Sequence, residues 1–144
     1  MSREAVNHPS HYNRGGFEVI SVIDYFGLNF NMGNALKYLV RAGYKESSSY
    51  HEDIRKATFY LRYQAKARPP LLRRILSWVD SFIYPADNEY IEQLIIAWDC
   101  HRLGHVLKSI LTYKHRPSYD LFEAAAKLEE LMICKDSYTS VAAG

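Results

Sequence analysis

The sequence predicts an all-α protein, folded as a compact helical bundle, and three observations carry this prediction. Apolar residues recur at three- and four-residue spacing along most of the chain, as expected of helices with one buried face. Glycines, prolines and helix-capping residues separate these apolar segments. Hydrophobic residues make up 48% of the 144 residues, which is enough to form a core without disulfides or a structural metal.

The first half is expected to contain an arm followed by three helices. Residues 1–16 are polar and include a proline and paired glycines, which predicts an extended N-terminal arm. Helical spacing then indicates one helix over 17–26 and another over 30–42, each ending at a glycine. The sequence Ser49-Tyr50-His51-Glu52 has the form of a capping box and opens a third helix. We assign residues 17–68 to one helical unit that carries the ligand site.

A bridging helix and a second helical unit are expected after this. Residues 69–87 contain an amphipathic helix over 71–82 between two proline-containing interruptions. In the unit over 88–144, apolar spacing continues without a break through Ile91–Leu111, and a last helix begins at Ser118. The chain is thus expected to form two helical units with a bridge between them.

The second unit repeats features of the first, which predicts a degenerate internal duplication. Gly33-Asn34-Ala35-Leu36-Lys37 aligns with Gly104-His105-Val106-Leu107-Lys108, and Tyr44-Lys45 aligns with Tyr113-Lys114 two residues out of step. Two copies are too few for a solenoid. The duplication therefore implies either two pseudo-symmetric hairpin units or a second half that serves oligomerisation, and we expect a homo-oligomer.

Charge and composition narrow the class of partner and the compartment. Up to residue 70 there are ten Lys and Arg against six Asp and Glu, a net +4, whereas the remainder has eight against ten, a net −2. An anion is therefore expected on the first half, while the overall charge of +2 argues against nucleic acid. No apolar run approaches the roughly 20 residues of a membrane span, and no apolar secretion signal opens the sequence. We expect a cytoplasmic protein without membrane contact.

Four polar residues on the second helix form the candidate site. Asn34, Lys37, Tyr38 and Arg41 are spaced three and four residues apart, which places them on one side of the helix, away from its apolar stripe. Lysine and arginine bind phosphate, and a tyrosine ring can stack on a base. The pattern therefore suits a nucleotide, although a solvated helix face would have the same pattern.

The third helix and the loop before it add further groups. Asp53, Lys56 and Tyr60 share one side of that helix, and Lys45 lies in the connecting segment, so an antiparallel hairpin would bring them towards the first four. No phosphate-binding glycine loop is present, so any phosphate must be held by helix side chains. His8 and His11 lack carboxylate or thiol partners at ligand spacing, and no metal site is expected.

The first half resembles a known bacteriophage family. The resemblance rests on five features in order: Asn7-His8-Pro9-Ser10-His11-Tyr12, then Glu18 and Ile20, then Gly33-Asn34-Ala35-Leu36-Lys37-Tyr38-Leu39-Val40-Arg41, then Lys45, and then Asp53-Ile54-Arg55-Lys56-Ala57 followed by Tyr60-Leu61. In their order and spacing they are similar to the SaV-like family, over roughly residues 6–65. That family includes a phage nucleoside monophosphate kinase, so the resemblance implies a nucleotide ligand and, if the chain is a kinase, ATP and Mg²⁺.

Together these observations give a working hypothesis for the site. Phosphates would be held by the basic side chains Lys37, Arg41, Lys45 and Lys56, and the Asn34 amide would orient the ligand. A base or ribose would pack against Tyr12, Tyr38 or Tyr60, and His11 would close the site from the arm.

The activity at this site has three interpretations. A binder needs only charge and aromatic rings, and we expect the protein to sequester a nucleotide or a nucleotide-derived immune signal of the host. The alternatives are a nucleoside monophosphate kinase and a module that binds a host protein. A kinase would need carboxylates for Mg²⁺, for which the matched half offers Glu18, Asp24 and Asp53. No catalytic residue is assigned, and no cofactor is expected unless the protein is a kinase.

Overall fold

The computed structural model describes residues 12–45, 48–67, 71–83, 86–115 and 119–142, and over these residues the predicted all-α class is confirmed. A small hairpin of β1 (Asn13–Arg14) and β2 (Phe17–Glu18) precedes seven described α-helices: α1 (Val19–Tyr25), α2 (Phe30–Arg41), α3 (Tyr50–Lys66), α4 (Leu71–Ile83), α5 (Asn88–Ala97), α6 (Gly104–Leu111) and α7 (Tyr119–Ala142). Short 3-10 turns, His101–Leu103 and Tyr113–His115, flank α6. The predictions made for residues 1–11, including the role of His11, lie outside the described ranges.

The segment before α1 is a β-hairpin, and the predicted helix start at Phe17 was wrong. Arg14 pairs with Phe17 across the turn, so Phe17 lies in a strand and the helix begins at Val19. Gly15 and Gly16 form the turn with φ of +60° and +82°, the left-handed pair that a two-residue hairpin requires. The end of the predicted arm is therefore part of the folded structure.

Arg14 fastens this hairpin to the helices. Its guanidinium donates one hydrogen bond to the Val40 carbonyl, at 3.0 Å, and one to the Trp98 carbonyl, at 2.7 Å. It also lies 3.5 Å from the centroid of the Tyr44 ring. Because Val40 belongs to α2 and Trp98 follows α5, one side chain joins backbone from the first half to backbone from the second.

The helices form two hairpins that share a core. Helix α2 packs along α3, α6 packs along α7, and α3 and α7 pack against each other. The predicted cap of α3 is confirmed, since the Ser49 hydroxyl accepts a hydrogen bond from the Glu52 backbone N–H at 3.1 Å. No helix among the described residues combines the length and apolar character needed to cross a bilayer.

The apolar stretch over Ile91–Leu111, predicted as continuous, is broken into two helices. Helix α5 ends at Ala97, and Asp99 takes the left-handed conformation with φ of +50°. The N–H of Cys100 then bonds the Ile95 carbonyl at 2.9 Å, as in a Schellman turn. Helical periodicity hid this break because residues on both sides of the turn are buried in the same core.

The first half has the same turn and the same packing after it. Beyond α1, Gly27 takes φ of +56°, and the next backbone N–H bonds the Ile23 carbonyl at 3.0 Å. A glycine then packs against the isoleucine in each half: a Cβ on Gly33 would lie 3.4 Å from Ile23, and one on Gly104 would lie 3.4 Å from Ile95. Both glycines thus allow the next helix to approach closely.

The two hairpins also bury corresponding positions in their second helices. An aspartate in the first turn is buried in each case, Asp53 in α3 and Asp120 in α7. At the same spacing after it, the buried residues are Ile54, Ala57, Thr58 and Leu61 in α3, and Leu121, Ala124, Ala125 and Leu128 in α7. The sequence alignment of the halves therefore has a structural counterpart in both turns and packing.

Candidate functional site

The candidate site is a cationic tyrosine cluster, formed by Lys37, Tyr38 and Arg41 of α2 with Lys56 and Tyr60 of α3. Three positive groups surround the Tyr38 ring: the Arg41 guanidinium carbon at 4.5 Å from the ring centroid, and the Lys37 and Lys56 ammonium nitrogens at 4.7 and 5.5 Å. The α2–α3 hairpin therefore brings together five residues that the sequence placed on two separate helices.

Tyrosine and phenylalanine rings continue the cluster on one side. The Tyr38 and Tyr60 rings stack with centroids 6.0 Å apart and planes 11° apart. Phe30 and Phe59 each meet Tyr60 edge to face, at 6.0 and 5.3 Å. Phe30 and Phe59 are strongly exposed, so apolar ring surface lies beside the positive charges.

Arg41 is buried and is held by an internal ion pair. Its Nε and Nη2 groups donate to Asp53 Oδ1 at 3.1 and 2.8 Å, and its Nη1 donates to the Tyr12 hydroxyl at 2.8 Å. Burial lowers the pKa of Arg41, but the hydrogen bonds to Asp53 and Tyr12 outweigh it, and the pKa lies above its ordinary value. Arg41 was predicted to hold phosphate, and three of its five N–H groups are engaged inside the protein.

The Asp53 carboxylate is only partly satisfied. Oδ1 accepts both bonds from Arg41 and a third from the Ser48 hydroxyl at 2.8 Å. Oδ2 is buried and has no hydrogen-bond partner among the described residues. The side chain is fully buried, so the negative charge is directed into the α2–α3 hairpin and away from solvent.

Lys37 carries positive charge that its surroundings do not balance. Burial lowers its pKa, and the neighbouring charges of Arg41, Lys45 and Lys56 lower it further against the opposing effect of Asp53. Its ammonium donates to Asn34 Oδ1 at 2.8 Å, and the Asn34 amide donates to the Phe30 carbonyl at 2.8 Å. A negatively charged ligand would relieve this repulsion.

The remaining predicted residues lie around this centre. Lys56 donates to Glu52 one turn earlier in α3, which raises its pKa, and its side chain is 40% exposed. Lys45 is half-buried and lies close enough for its charge to act on Lys37. Tyr12 reaches the cluster through Arg41. Of the predicted site residues, only His11 has no described position.

An amide group beside the rings was missed from the sequence. Gln64 Oε1 accepts hydrogen bonds from Asn29 Nδ2 at 2.8 Å and from Asn31 Nδ2 at 3.0 Å. Gln64 follows Tyr60 by one helical turn, and the asparagines flank Phe30 in the sequence. The four-residue spacing of Tyr60 and Gln64 could therefore have indicated that Gln64 lies beside the rings. Asparagines at helix starts are usually caps, however, and Asn29 does cap α2.

A family model described as a protein of unknown function, DUF3310, matches residues 6–62. No curated protein and no solved structure matches the chain. The DUF3310 segment contains all five members of the cationic tyrosine cluster, together with Tyr12, Asn34 and Lys45. It ends before Gln64, and the second hairpin lies outside it.

The second hairpin does not repeat the cluster. In the alignment of the two halves, Lys108 corresponds to Lys37, but serine replaces Tyr38 and threonine replaces Arg41. These residues, Ser109 and Thr112, are both buried, and the Thr112 hydroxyl donates to the Lys108 carbonyl at 2.7 Å. The second hairpin thus lacks the aromatic ring and the guanidinium that define the candidate site in the DUF3310 segment.

The carboxylates considered for a metal ion are dispersed. Asp53 is buried against Arg41, Asp24 is exposed and Glu18 is half-buried beside the hairpin turn. Across the described ranges, no three His, Cys, Asp or Glu side chains come together in an arrangement that could hold a metal ion. The site residues that do converge are basic, aromatic and amide groups.

Proposed function

We propose that the chain binds a phosphate-bearing nucleotide at the cationic tyrosine cluster and holds it unchanged, as a phage protein that sequesters a nucleotide-derived signal of its host. The observation that carries the proposal is the crowding of Lys37, Arg41 and Lys56 around one tyrosine ring, with a lowered pKa at Lys37. Positive groups beside exposed aromatic rings suit a ligand with a phosphate and a base.

The phosphate would lie against the lysines. Lys37 and Lys56 approach the Tyr38 ring from α2 and α3, and Lys45 adds charge from the loop between them. Arg41 would contribute its buried charge and the two N–H groups that its internal bonds leave over. Asn34 would keep the Lys37 ammonium in place through their hydrogen bond.

The base would lie against the rings and amides on the other side of Tyr60. Phe30 is 76% exposed and meets the Tyr60 ring edge to face, which leaves ring surface open for stacking. The bonds at Gln64 use its oxygen and the Asn31 nitrogen, so the Gln64 amide nitrogen and the Asn31 amide oxygen would be the groups offered to a base. One donor and one acceptor match the hydrogen-bonding edge of a nucleobase.

Holding the ligand requires fewer groups than phosphoryl transfer. A kinase must bring two nucleotides into line and neutralise the transferred group, normally with Mg²⁺ on a carboxylate. Two carboxylates bond to the cluster: Asp53 is buried and bonded to Arg41 and Ser48, and Glu52 is paired with Lys56. Sequestration uses only the positive, aromatic and amide groups that converge, and it is therefore the function we favour over a kinase or a host-protein module.

The test combines a ligand panel with a matched pair of variants. The full chain is incubated with ATP plus deoxynucleoside monophosphates, with cyclic nucleotides and with ADP-ribose derivatives, and both the supernatant and the heat-released ligand are separated by chromatography. An unaltered nucleotide released only on denaturation is the expected result. New diphosphates would replace the proposal by a kinase, and no bound or altered nucleotide would leave only a protein partner.

Lys37→Ala and Lys108→Ala then locate the site. Both remove a lysine from corresponding positions of the two hairpins, but only Lys37 has the tyrosine and the arginine beside it. Loss of one charge-assisted bond of about 1.5 to 3 kcal/mol lowers affinity roughly 10- to 100-fold for Lys37→Ala. Lys108→Ala should leave affinity unchanged. Equal losses in both variants would place the ligand elsewhere.

A further inference from the structure

Most of the apolar face of helix α4 is not covered by other parts of the described structure. Its apolar side chains are between 38% and 76% exposed. They are Leu71, Leu72, Ile75, Leu76, Trp78, Val79, Phe82 and Ile83. A helix of 13 residues is marginal in water by itself, and most helical stability in proteins comes from packing of the apolar face. Such a face therefore indicates a partner.

The spacing of the apolar residues is symmetric about position 77, the centre of the helix. Every apolar position has an apolar counterpart at the same distance on the other side: 71 with 83, 72 with 82, 75 with 79, and 76 with 78. An isologous contact across a two-fold axis requires this property, because each residue before the axis meets a residue after it on the other copy. A helix that docks on an unrelated surface has no need of such symmetry.

The same face has the pattern of a helix–helix seam. Leu72, Ile75, Val79 and Phe82 follow one another at spacings of three, four and three residues, which is the alternation found along a coiled-coil contact. The other apolar residues widen this stripe on both sides. A stripe of this kind fits into the grooves of another helix. The Tyr113–His115 turn packs against α4 but, with three residues, is too short to cover it.

Area and charge also agree with a second copy. A standard stable interface buries roughly 800 Å² on each partner, and the exposed apolar residues of α4 would supply part of that area in a pair of helices. The helix sequence has two arginines among its first four residues and its single acidic residue among its last four. Antiparallel pairing brings opposite charges near each other, whereas parallel pairing brings like charges together.

We propose that α4 pairs antiparallel with α4 of a second copy of this chain, across a two-fold axis at position 77. The resulting homodimer buries the apolar face of both helices. A membrane surface is the competing occupant, but helices that lie on membranes carry many basic residues on their polar face, and α4 has a net charge of only +1. The pairing does not depend on nucleotide binding.

Sedimentation equilibrium of the full chain tests the pairing with two matched variants. Ile75→Glu places two buried carboxylates close to the axis of the dimer, and Ile96→Glu changes an isoleucine on α5 that is 66% exposed. Because both isoleucines are exposed in the single chain, neither change should unfold it, which circular dichroism checks. We expect a dimer for the wild type and Ile96→Glu, and a monomer for Ile75→Glu, with the dissociation constant of the dimer raised roughly 100-fold or more.

Cross-linking tests the direction of the pair. In a background without native cysteines, Leu72→Cys mixed with Phe82→Cys should form a disulfide-linked heterodimer, whereas Leu72→Cys alone should cross-link poorly. A wild-type chain that stays monomeric at all concentrations, a dimer unaffected by Ile75→Glu, or stronger cross-linking of Leu72→Cys to itself would each overturn the proposal. A monomer that binds anionic lipid vesicles, with binding lost in Ile75→Glu, would assign the face to a membrane.

Discussion

Arg41 and Asp53 form a buried ion pair, 2.8 Å between Nη2 and Oδ1, that joins α2 to α3 beside the Tyr38 ring. Both side chains are almost completely removed from solvent, with 7% and 0% of their surfaces exposed. The pair therefore fixes the geometry of the α2–α3 hairpin, and it holds the Arg41 guanidinium beside the Tyr38 ring.

The first prediction concerns the stability that depends on this pair. Arg41→Ala leaves the buried Asp53 carboxylate without its cation, which is expected to cost about 3 to 5 kcal/mol of unfolding free energy. Arg62→Ala removes one partner of the half-exposed Arg62–Glu129 pair and should cost no more than about 1 kcal/mol. Guanidinium denaturation of both variants measures the difference. Similar losses would contradict the structural role of Arg41.

The second prediction concerns the pH dependence of ligand affinity. The pKa of Lys37 is lowered by burial and by its cationic neighbours, so Lys37 loses its proton at a lower pH than an ordinary lysine. Affinity for a phosphate ligand should therefore be full at neutral pH and fall as pH rises through that lowered pKa. Proton uptake should accompany binding within this window, because the anion favours the charged lysine.

Titration of binding against pH, by calorimetry in buffers of different ionisation enthalpy, measures both effects. Lys37→Arg is the control, since arginine stays protonated throughout this range and should flatten the profile. An unchanged profile in Lys37→Arg would show that another group titrates.

The third prediction separates steric strain from backbone strain in the hairpin turn. Both Gly15 and Gly16 have positive φ, so alanine at either position costs roughly 1 to 2 kcal/mol from its backbone conformation. A Cβ on Gly15 would additionally lie 2.4 Å from the Ala97 carbonyl oxygen, whereas one on Gly16 meets nothing within 4 Å. Gly15→Ala should therefore be more destabilising by about 1 to 3 kcal/mol.

Thermal and denaturant unfolding of these two variants provide the measurement. If Gly15→Ala and Gly16→Ala had the same stability, the hairpin would not be docked on the end of α5.

The fourth prediction concerns the reactivity of Cys100. Burial raises the pKa of its thiol to about 11, and the thiol donates to the Trp98 carbonyl at 3.3 Å. At pH 8 only on the order of one thiol in a thousand is then ionised, and reaction with thiol reagents should be slow. The pKa of the thiol is higher in the folded than in the unfolded chain. The protonated thiol therefore makes its full contribution to the free energy of unfolding below pH 9, and this contribution is lost as pH rises through about 11.

A colorimetric thiol assay on Cys134→Ser follows Cys100 alone. Modification should speed up with sub-denaturing guanidinium, in proportion to opening of the structure. Rapid modification at pH 8 without denaturant would mean that the thiol is accessible.

The sequence predicted those parts of the structure that depend on local spacing. Lys37 and Tyr38 were expected on one side of α2, and they do lie together beside Lys56 and Tyr60. The Ser49 cap was also predicted, because a capping box involves only neighbouring residues.

The parts that were missed depend on partners distant in sequence. Arginine is usually exposed, so the burial of Arg41 could not be predicted without its pairing to Asp53, twelve residues later. Asp99 takes a conformation that usually requires glycine, and no local signal marks it. The hairpin was missed because Phe17 and Val19 fit the apolar spacing of a helix as well as that of a short strand.

The packing of α3 against α7, and the bond from Arg14 to the Trp98 carbonyl, have a consequence for how this chain is divided. The segment matched by the family model ends inside α3, yet α3 packs against α7, which lies far outside the match. The matched segment is thus shorter than the part of the chain that folds together. A fragment cut at the family boundary would retain the cationic tyrosine cluster and lose the surface of α7 that packs against α3.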